Sequence, residues 1–206
     1  MKNAVWYFDF ISPFAYIQNF RLDEFSNEIK IDRRPLVFAG LLKYWETKGP
    51  VEIPSKRLYT YRHIQWMAEK LGISIKFPNR HPFNPIPLLR LCIVAGCSKN
   101  AVDSLFNCVW KDGLVGDDPE NWKTFCNAVD VSVKQVNDLI SSPEIKSKLR
   151  SNGERALEQG VFGVPTLVVD GQLFWGNDST EFALEYLKNP KLLNIPSMKN
   201  LEKLSR

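Results

Sequence analysis

The sequence predicts an α/β protein, a compact sandwich of strands and helices interrupted by a helical block. Three observations carry that expectation. An aromatic and β-branched segment, Val5 to Phe10, leads into a helix and then a second strand, giving β-α-β. Two short apolar segments near the end are joined at Asp170-Gly171 and followed by a helix, giving β-β-α. Between them, from Leu88 to about Glu158, apolar residues recur at helical spacing, broken at Gly96-Cys97-Ser98, 112–119, 128–131 and Ser141-Ser142-Pro143. The expected organisation is a discontinuous α/β domain over 1–40 and 160–190, an all-helical insertion over 41–159 and a C-terminal tail over 191–206.

The elements follow in order. Ser12 is a favoured helix N-cap, and Pro13 suits the first helical position, where its missing N–H costs nothing. Phe14, Ile17, Phe20, Leu22 and Phe25 sustain a helical pattern to about Asn27. A strand is expected over Ile31 to Phe38, with Pro35 favouring an edge or a terminus. Leu41 to Trp45 suits a short helix, and Thr47-Lys48-Gly49-Pro50 a turn. A longer helix runs from about Ser55 to Leu71, stopped by Gly72. Ile73 to Phe77 is extended, and Pro78 to Pro87 is an ordered loop, its prolines interleaved with His81, Phe83 and Asn84. Within the helical block, Val102, Leu105, Phe106 and Val109 form one apolar stripe and Val133, Val136, Leu139 and Ile140 another; the two are expected to face each other. The hairpin pairs Thr166–Asp170 with Gln172–Trp175, and the last helix runs from about Ser179 to Lys188. The polar, basic end is expected to lie on the surface or to be partly disordered.

Composition narrows the function. The chain has 206 residues, 44% hydrophobic and 24% charged, as in soluble globular proteins. Lys plus Arg number 27 and Asp plus Glu 23, a net charge of +4. That small excess is spread along the chain and suits anionic small molecules better than nucleic acid. The longest apolar run, Leu36 to Leu42, is too short for a membrane span. The N-terminus is needed as a strand and is interrupted by Asp9, unlike a signal peptide. Cys92, Cys97, Cys108 and Cys126 form no Cys-x-x-Cys pair and show no metal spacing, so they are expected to be reduced core thiols. A cytoplasmic location is expected, with mitochondria and peroxisomes left open.

Two local features point to chemistry. Ser12 stands where a helix N-terminus presents unpaired N–H groups and a positive dipole end, which suit an anion. Gly163-Val164-Pro165-Thr166 leads into the hairpin, the setting for a cis X-Pro bond. Such a bond would turn the Val164 backbone outward, free to pair with an extended peptide.

On these residues the chain resembles the thioredoxin superfamily with an α-helical insertion. Redox members start the first helix with Cys-x-x-Cys; here that position holds Ser12-Pro13-Phe14-Ala15, which excludes dithiol chemistry there. The stretch Phe8-Asp9-Phe10-Ile11-Ser12-Pro13-Phe14-Ala15-Tyr16 is similar to the kappa-class glutathione transferases and, more narrowly, to the 2-hydroxychromene-2-carboxylate isomerases. Pro54-Ser55-Lys56-Arg57-Leu58-Tyr59, Phe77-Pro78 with His81-Pro82-Phe83-Asn84-Pro85 and Leu88-Leu89-Arg90, and Trp175-Gly176-Asn177-Asp178 support the narrower likeness. His63 departs from an acidic residue expected in relatives, and Thr47 from Asn.

The resemblance implies a thioredoxin-like fold and glutathione as cofactor. Ser12 would donate to its thiolate, Val164 would hold the cysteinyl backbone, and Asn177 and Asp178 would hold the γ-glutamyl end, with Ser179 and Thr180 adding N–H donors. Lys43 and Lys48, beside Thr47, would meet a substrate carboxylate and phenolate, with His81 and Asn84 forming the other wall. The implied activity interconverts 2-hydroxychromene-2-carboxylate and trans-o-hydroxybenzylidenepyruvate, or a related catabolite of naphthalene-like hydrocarbons, by reversible thiolate addition. A kappa-like transferase that conjugates electrophiles and a redox-inactive binding module are the alternatives. The resemblance also implies a homodimer whose partners are glutathione and a small aromatic substrate, with no nucleic acid, membrane or metal.

Overall fold

The structure, a computed structural model, describes residues 2–25 and 27–204. Strand β1 (Lys2–Phe8) lies inside a sheet of order β2-β1-β3-β4. It is parallel to β2 (Ile29–Pro35) and antiparallel to β3 (Thr166–Val169), which pairs with β4 (Gln172–Trp175). Alternation along β1 sorts its side chains to two faces. Ala4, Trp6 and Phe8 join a large buried cluster, whereas Tyr7 joins a smaller one with Leu36, Leu41, Ala156, Val161, Val164 and Val168. The large cluster is continuous from the sheet into the helical block. Trp6 stacks on Phe8 at 4.6 Å, and Phe8 and Phe10 both meet Phe106, at 5.6 and 4.6 Å.

The helices are α1 (Pro13–Arg21), α2 (Phe38–Tyr44), α3 (Pro54–Leu71), α4 (Ile86–Val94), α5 (Lys99–Phe106), α6 (Trp122–Ala128), α7 (Val136–Ser141), α8 (Pro143–Glu158), α9 (Thr180–Lys188) and the short α10 (Pro196–Lys199). Gly72, at φ +66°, stops α3 as expected. Asp170 and Gly171 both take positive φ, +50° and +76°, the two-residue turn whose twist suits a hairpin.

Three details differ from the sequence reading. Strand β2 starts at Ile29 and ends at Pro35, and Phe38 starts α2; the Asp9 carboxylate takes the Phe38 N–H at 2.9 Å and turns the chain there. In the second apolar stripe Val136 and Ile140 are buried, but Val133 is 42% and Leu139 39% exposed. Val133 precedes α7, so helical periodicity does not reach it. The stripes do not face each other directly, because α4 packs between α5 and α7. The C-terminal segment forms short helical turns on the surface, with Leu192 and Leu193 packed against the large core.

Candidate active site

Strand β1 delivers the chain to Ser12, which caps α1 in an extended conformation, φ −93° and ψ 112°. Its Oγ accepts the Ala15 N–H at 3.2 Å, and its carbonyl accepts the Tyr16 N–H at 3.2 Å. The side chain is nearly buried, at 7% exposure for the residue. Capping uses the hydroxyl only as an acceptor, so its proton stays available for donation. Pro13 has no N–H and Ala15 has spent its own, which leaves Phe14 as the first-turn donor.

The loop that carries Ser12 is tied down on all sides. Asp9 is fully buried, accepting from Ile11 N–H at 3.1 Å through Oδ1 and from Phe38 N–H at 2.9 Å through Oδ2. Its carbonyl accepts the Ser12 N–H at 3.0 Å. Burial pushes the carboxyl up to about 7, and the two N–H donors hold it back only in part. The Phe10 carbonyl accepts from Trp110 Nε1 at 2.8 Å, and the Ile11 carbonyl from His81 Nε2 at 2.8 Å. A carbonyl can only accept, so His81 carries its proton on Nε2, and Nδ1 accepts from the Tyr61 hydroxyl at 2.7 Å. Burial pushes the His81 pKa down, consistent with a neutral ring.

His81, expected in a substrate wall, has both ring nitrogens engaged and braces the Ser12 loop instead. Sequence reasoning missed Asp9, Tyr61 and Trp110 as members of this site. Two signals were present: a lone carboxylate in an aromatic strand, and a tryptophan whose N–H needs a partner once buried.

The second half of the site lies beside the first. Thr166 pairs with Tyr7 at the last step of the β1–β3 ladder, two residues after Val164, and Gln18 of α1 bonds the Gly176 carbonyl just beyond β4 at 2.8 Å. The Val164–Pro165 peptide is cis, as is His81–Pro82. Gly176 N–H reaches the Pro165 carbonyl at 2.8 Å, and Thr166 Oγ1 donates to the Gly163 carbonyl at 2.8 Å. Gly163 lets the Trp175 indole lie against the loop: a Cβ there would sit 2.5 Å from Trp175 Nε1 and displace the ring. Among the described residues, neither the N–H nor the C=O of Val164 has a hydrogen-bond partner.

Asn177 is 6% exposed, and its buried Oδ1 has no partner among the described residues. Its Nδ2 faces the Met67 sulfur at 3.8 Å. Gln18 of α1, also missed from sequence, fixes this turn: its amide N–H groups reach the Gly176 carbonyl at 2.8 Å and Thr180 Oγ1 at 3.3 Å, and its Oε1 accepts from Trp6 Nε1 at 2.7 Å. The donors expected from Ser179 and Thr180 are spent within the turn. Ser179 N–H and Oγ both go to the Gly176 carbonyl, and Thr180 N–H and Oγ1 both go to the Asn177 carbonyl. The turn's remaining N–H groups are those of Asn177 and Asp178, and the Asp178 side chain is exposed.

The expected substrate residues lie on two segments, the end of α2 and the loop before α4. Lys43, Thr47 and Lys48 are exposed around the end of α2, a segment pinned by Trp45 Nε1 to the Val161 carbonyl at 3.0 Å. Asn84 Oδ1 accepts the Ile86 N–H at 3.1 Å, a turn one residue ahead of the α4 cap position at Pro85, while its own N–H goes to Asp117 at 3.0 Å. Lys56 is exposed, and His63 is half-buried among the rings of Phe14, Tyr59 and Trp66. Two surface cavities, of about 450 and 550 Å³, are lined by none of the expected site residues. Among the described residues no cluster of three His, Cys, Asp or Glu side chains could hold a metal ion, and no helix is long and apolar enough to cross a membrane.

A mixed sheet entered by β-α-β, closed by β-β-α and interrupted by helices, with a serine-capped helix after its first strand and a cis proline before its hairpin, defines a class. The model of the DSBA-like thioredoxin domain family matches residues 5–188, and the chain belongs to that family. Within it the chain is similar to 2-hydroxychromene-2-carboxylate isomerase of Sphingobium xenophagum, 26% identical over 191 residues that cover 90% of this chain and 98% of the relative. It is equally similar to glutathione S-transferase kappa 1 of Homo sapiens, 26% identical over 215 residues, 94% of each chain. In fold it matches the structure of a selenomethionine 2-hydroxychromene-2-carboxylate isomerase with a TM-score of 0.81, at 24% identity over 93% of this chain and 97% of that one.

Proposed function

We propose that this protein is a glutathione-dependent isomerase of a 2-hydroxychromene-2-carboxylate-like aromatic acid. The observation that carries the reading is the open peptide edge at Val164, with both backbone groups unpartnered, next to a serine-capped helix N-terminus. The residues fit glutathione on a second count: the orphaned Oδ1 of Asn177 is a buried acceptor lacking a donor, which an ammonium supplies. Ser12 and Gln18 are six residues apart on α1, about 9 Å along the helix. A tripeptide spans about 10 Å, enough to run from the Ser12 hydroxyl to the turn that Gln18 holds.

Bound glutathione supplies a thiolate, a nucleophile for reversible addition to a conjugated double bond. Ser12 donates its free O–H to that sulfur while continuing to cap α1. The Phe14 N–H and the helix dipole add to the same preference for an anion, and one pKa unit of lowering is about 1.4 kcal/mol. Val164 pairs with the cysteinyl backbone, and Asn177 and Asp178 take the γ-glutamyl end. Lys43 and Lys48, on the exposed rim, meet the substrate's carboxylate and phenolate.

The three isomerases among the similar proteins, from Sphingobium and Pseudomonas, support the isomerase reading, and the kappa transferases support the cofactor. Mixing the protein, glutathione and the chromene changes the ultraviolet spectrum with no loss of thiol if the reading is right. Stoichiometric consumption of thiol identifies a transferase instead. A spectral change independent of glutathione overturns the cofactor assignment.

A further inference from the structure

Cys97 departs from the expectation of four inert core thiols. It stands after the end of α4 in a left-handed conformation, φ +52°, immediately after Gly96 at φ +76°. Its N–H returns to the Cys92 carbonyl at 3.0 Å, folding the turn back on the helix. The result is a pair of sulfurs 3.8 Å apart, with the Cys92 S–H directed at Cys97. Cys92 is fully buried, whereas Cys97 is half-buried and lines the cavity of about 550 Å³.

That cavity is cationic. Strand β2 contributes Arg33 and Arg34, and α8 contributes Lys148 and Arg155; the carboxylates of Asp32 and Glu144 also line it. Asp32 is already paired with Arg34 at 2.7 Å. Arg33 Nε is buried and has no partner among the described residues, an N–H donor lacking an acceptor at the cavity wall. The hydrogen bond from Cys92 and the charge of Lys148 pull the Cys97 thiol down, while burial pushes Cys92 up, so Cys97 is the nucleophile of the pair.

We propose that Cys92 and Cys97 are a redox-active dithiol, oxidised by a small anionic disulfide that docks in the cationic cavity beside Cys97. The Cys97 thiolate attacks one sulfur of the disulfide R–S–S–R, forming a mixed disulfide and releasing R–S⁻. Cys92 attacks the Cys97 sulfur, forming Cys92–Cys97, and its proton passes to the departing second R–S⁻, which leaves as R–SH. Two electrons pass from the dithiol to R–S–S–R, which leaves as two thiols once protonated. The pair lies outside the Ser12 position, so it operates whether or not the isomerase reading holds.

The test is to incubate the reduced, folded full chain with glutathione disulfide, quench with acid, unfold, alkylate the remaining thiols and map the peptides by mass. The expected product is lighter by two hydrogens, with Cys92 linked to Cys97 and with Cys108 and Cys126 alkylated. Cys92→Ser stops at the mixed disulfide on Cys97, and Lys148→Ala slows that step about twofold to fivefold. Added salt weakens the reaction in the same direction. Four alkylated thiols after the wild-type chain is exposed to the disulfide while folded and then unfolded for alkylation, a linkage involving Cys108 or Cys126, or a Lys148→Ala variant that reacts at the wild-type rate overturns the proposal. The wild-type peptide map decides the matter even if a variant fails to fold.

Discussion

The two halves of the candidate site are built on opposite plans. Around Ser12 each loop residue from Asp9 to Ile11 is bonded, through Asp9, Trp110 and His81, and the serine hydroxyl keeps one free proton. In the other half, the N–H and C=O of Val164 and the buried amide oxygen of Asn177 lack partners among the described residues. The contrast separates two tasks. A group that stabilises developing charge must be held in position beforehand. A surface that grips a peptide must offer unspent hydrogen-bonding capacity, which is costly to bury unless something uses it.

The largest expected effect breaks the braced half through Asp9. Its folded pKa of about 7 lies above the ordinary 3.8, so the folded state holds a proton that the unfolded state has lost. Stability from this group is therefore full below about pH 4 and declines, by an amount on the order of a few kcal/mol, as pH rises toward 7. Asp9→Asn removes that slope, at the cost of leaving one of the Ile11 and Phe38 N–H groups without an acceptor. Urea unfolding across the window measures both effects; an unchanged slope in the variant assigns the pH dependence elsewhere.

Ser12→Ala removes the donor to sulfur, and turnover falls about 10-fold to 100-fold. Loss of the cap itself costs about 1 kcal/mol of stability, so steady-state kinetics and denaturation separate the two roles. Trp110→Phe strips the N–H from the Phe10 carbonyl and leaves a small cavity in a fully buried position, destabilising the fold by about 1–3 kcal/mol in chemical denaturation. The smallest effect belongs to the open half. Asn177→Ala deletes a group with no internal partner for its oxygen, so the fold loses little, while the glutathione KM rises about 5-fold to 10-fold. A marked loss of stability with an unchanged KM would make Asn177 a structural residue.

What the sequence made legible was local. Ser12-Pro13 announces a cap within two residues, and Asp170-Gly171 sits between its own two strands, so the hairpin and its turn could be read directly. The limits of β2 could not, because they depend on a carboxylate 29 residues away that claims the Phe38 N–H. His81 reads as a loop histidine until the fold sets it 70 residues back along the chain at the Ile11 carbonyl. Ser179 and Thr180 illustrate the reverse error. Their residue types suit an anion site, but a short turn consumes those donors itself.

The account turns on a hydroxyl that accepts from Ala15 and donates to a bound sulfur. The direct measurement is the ultraviolet thiolate absorbance of protein-bound glutathione as a function of pH, in the wild type and in Ser12→Ala. The bound thiol is expected to titrate well below the free value of about 8.5 in the wild type and to move back toward it in the variant. A bound thiol that titrates like the free one in both proteins would contradict it.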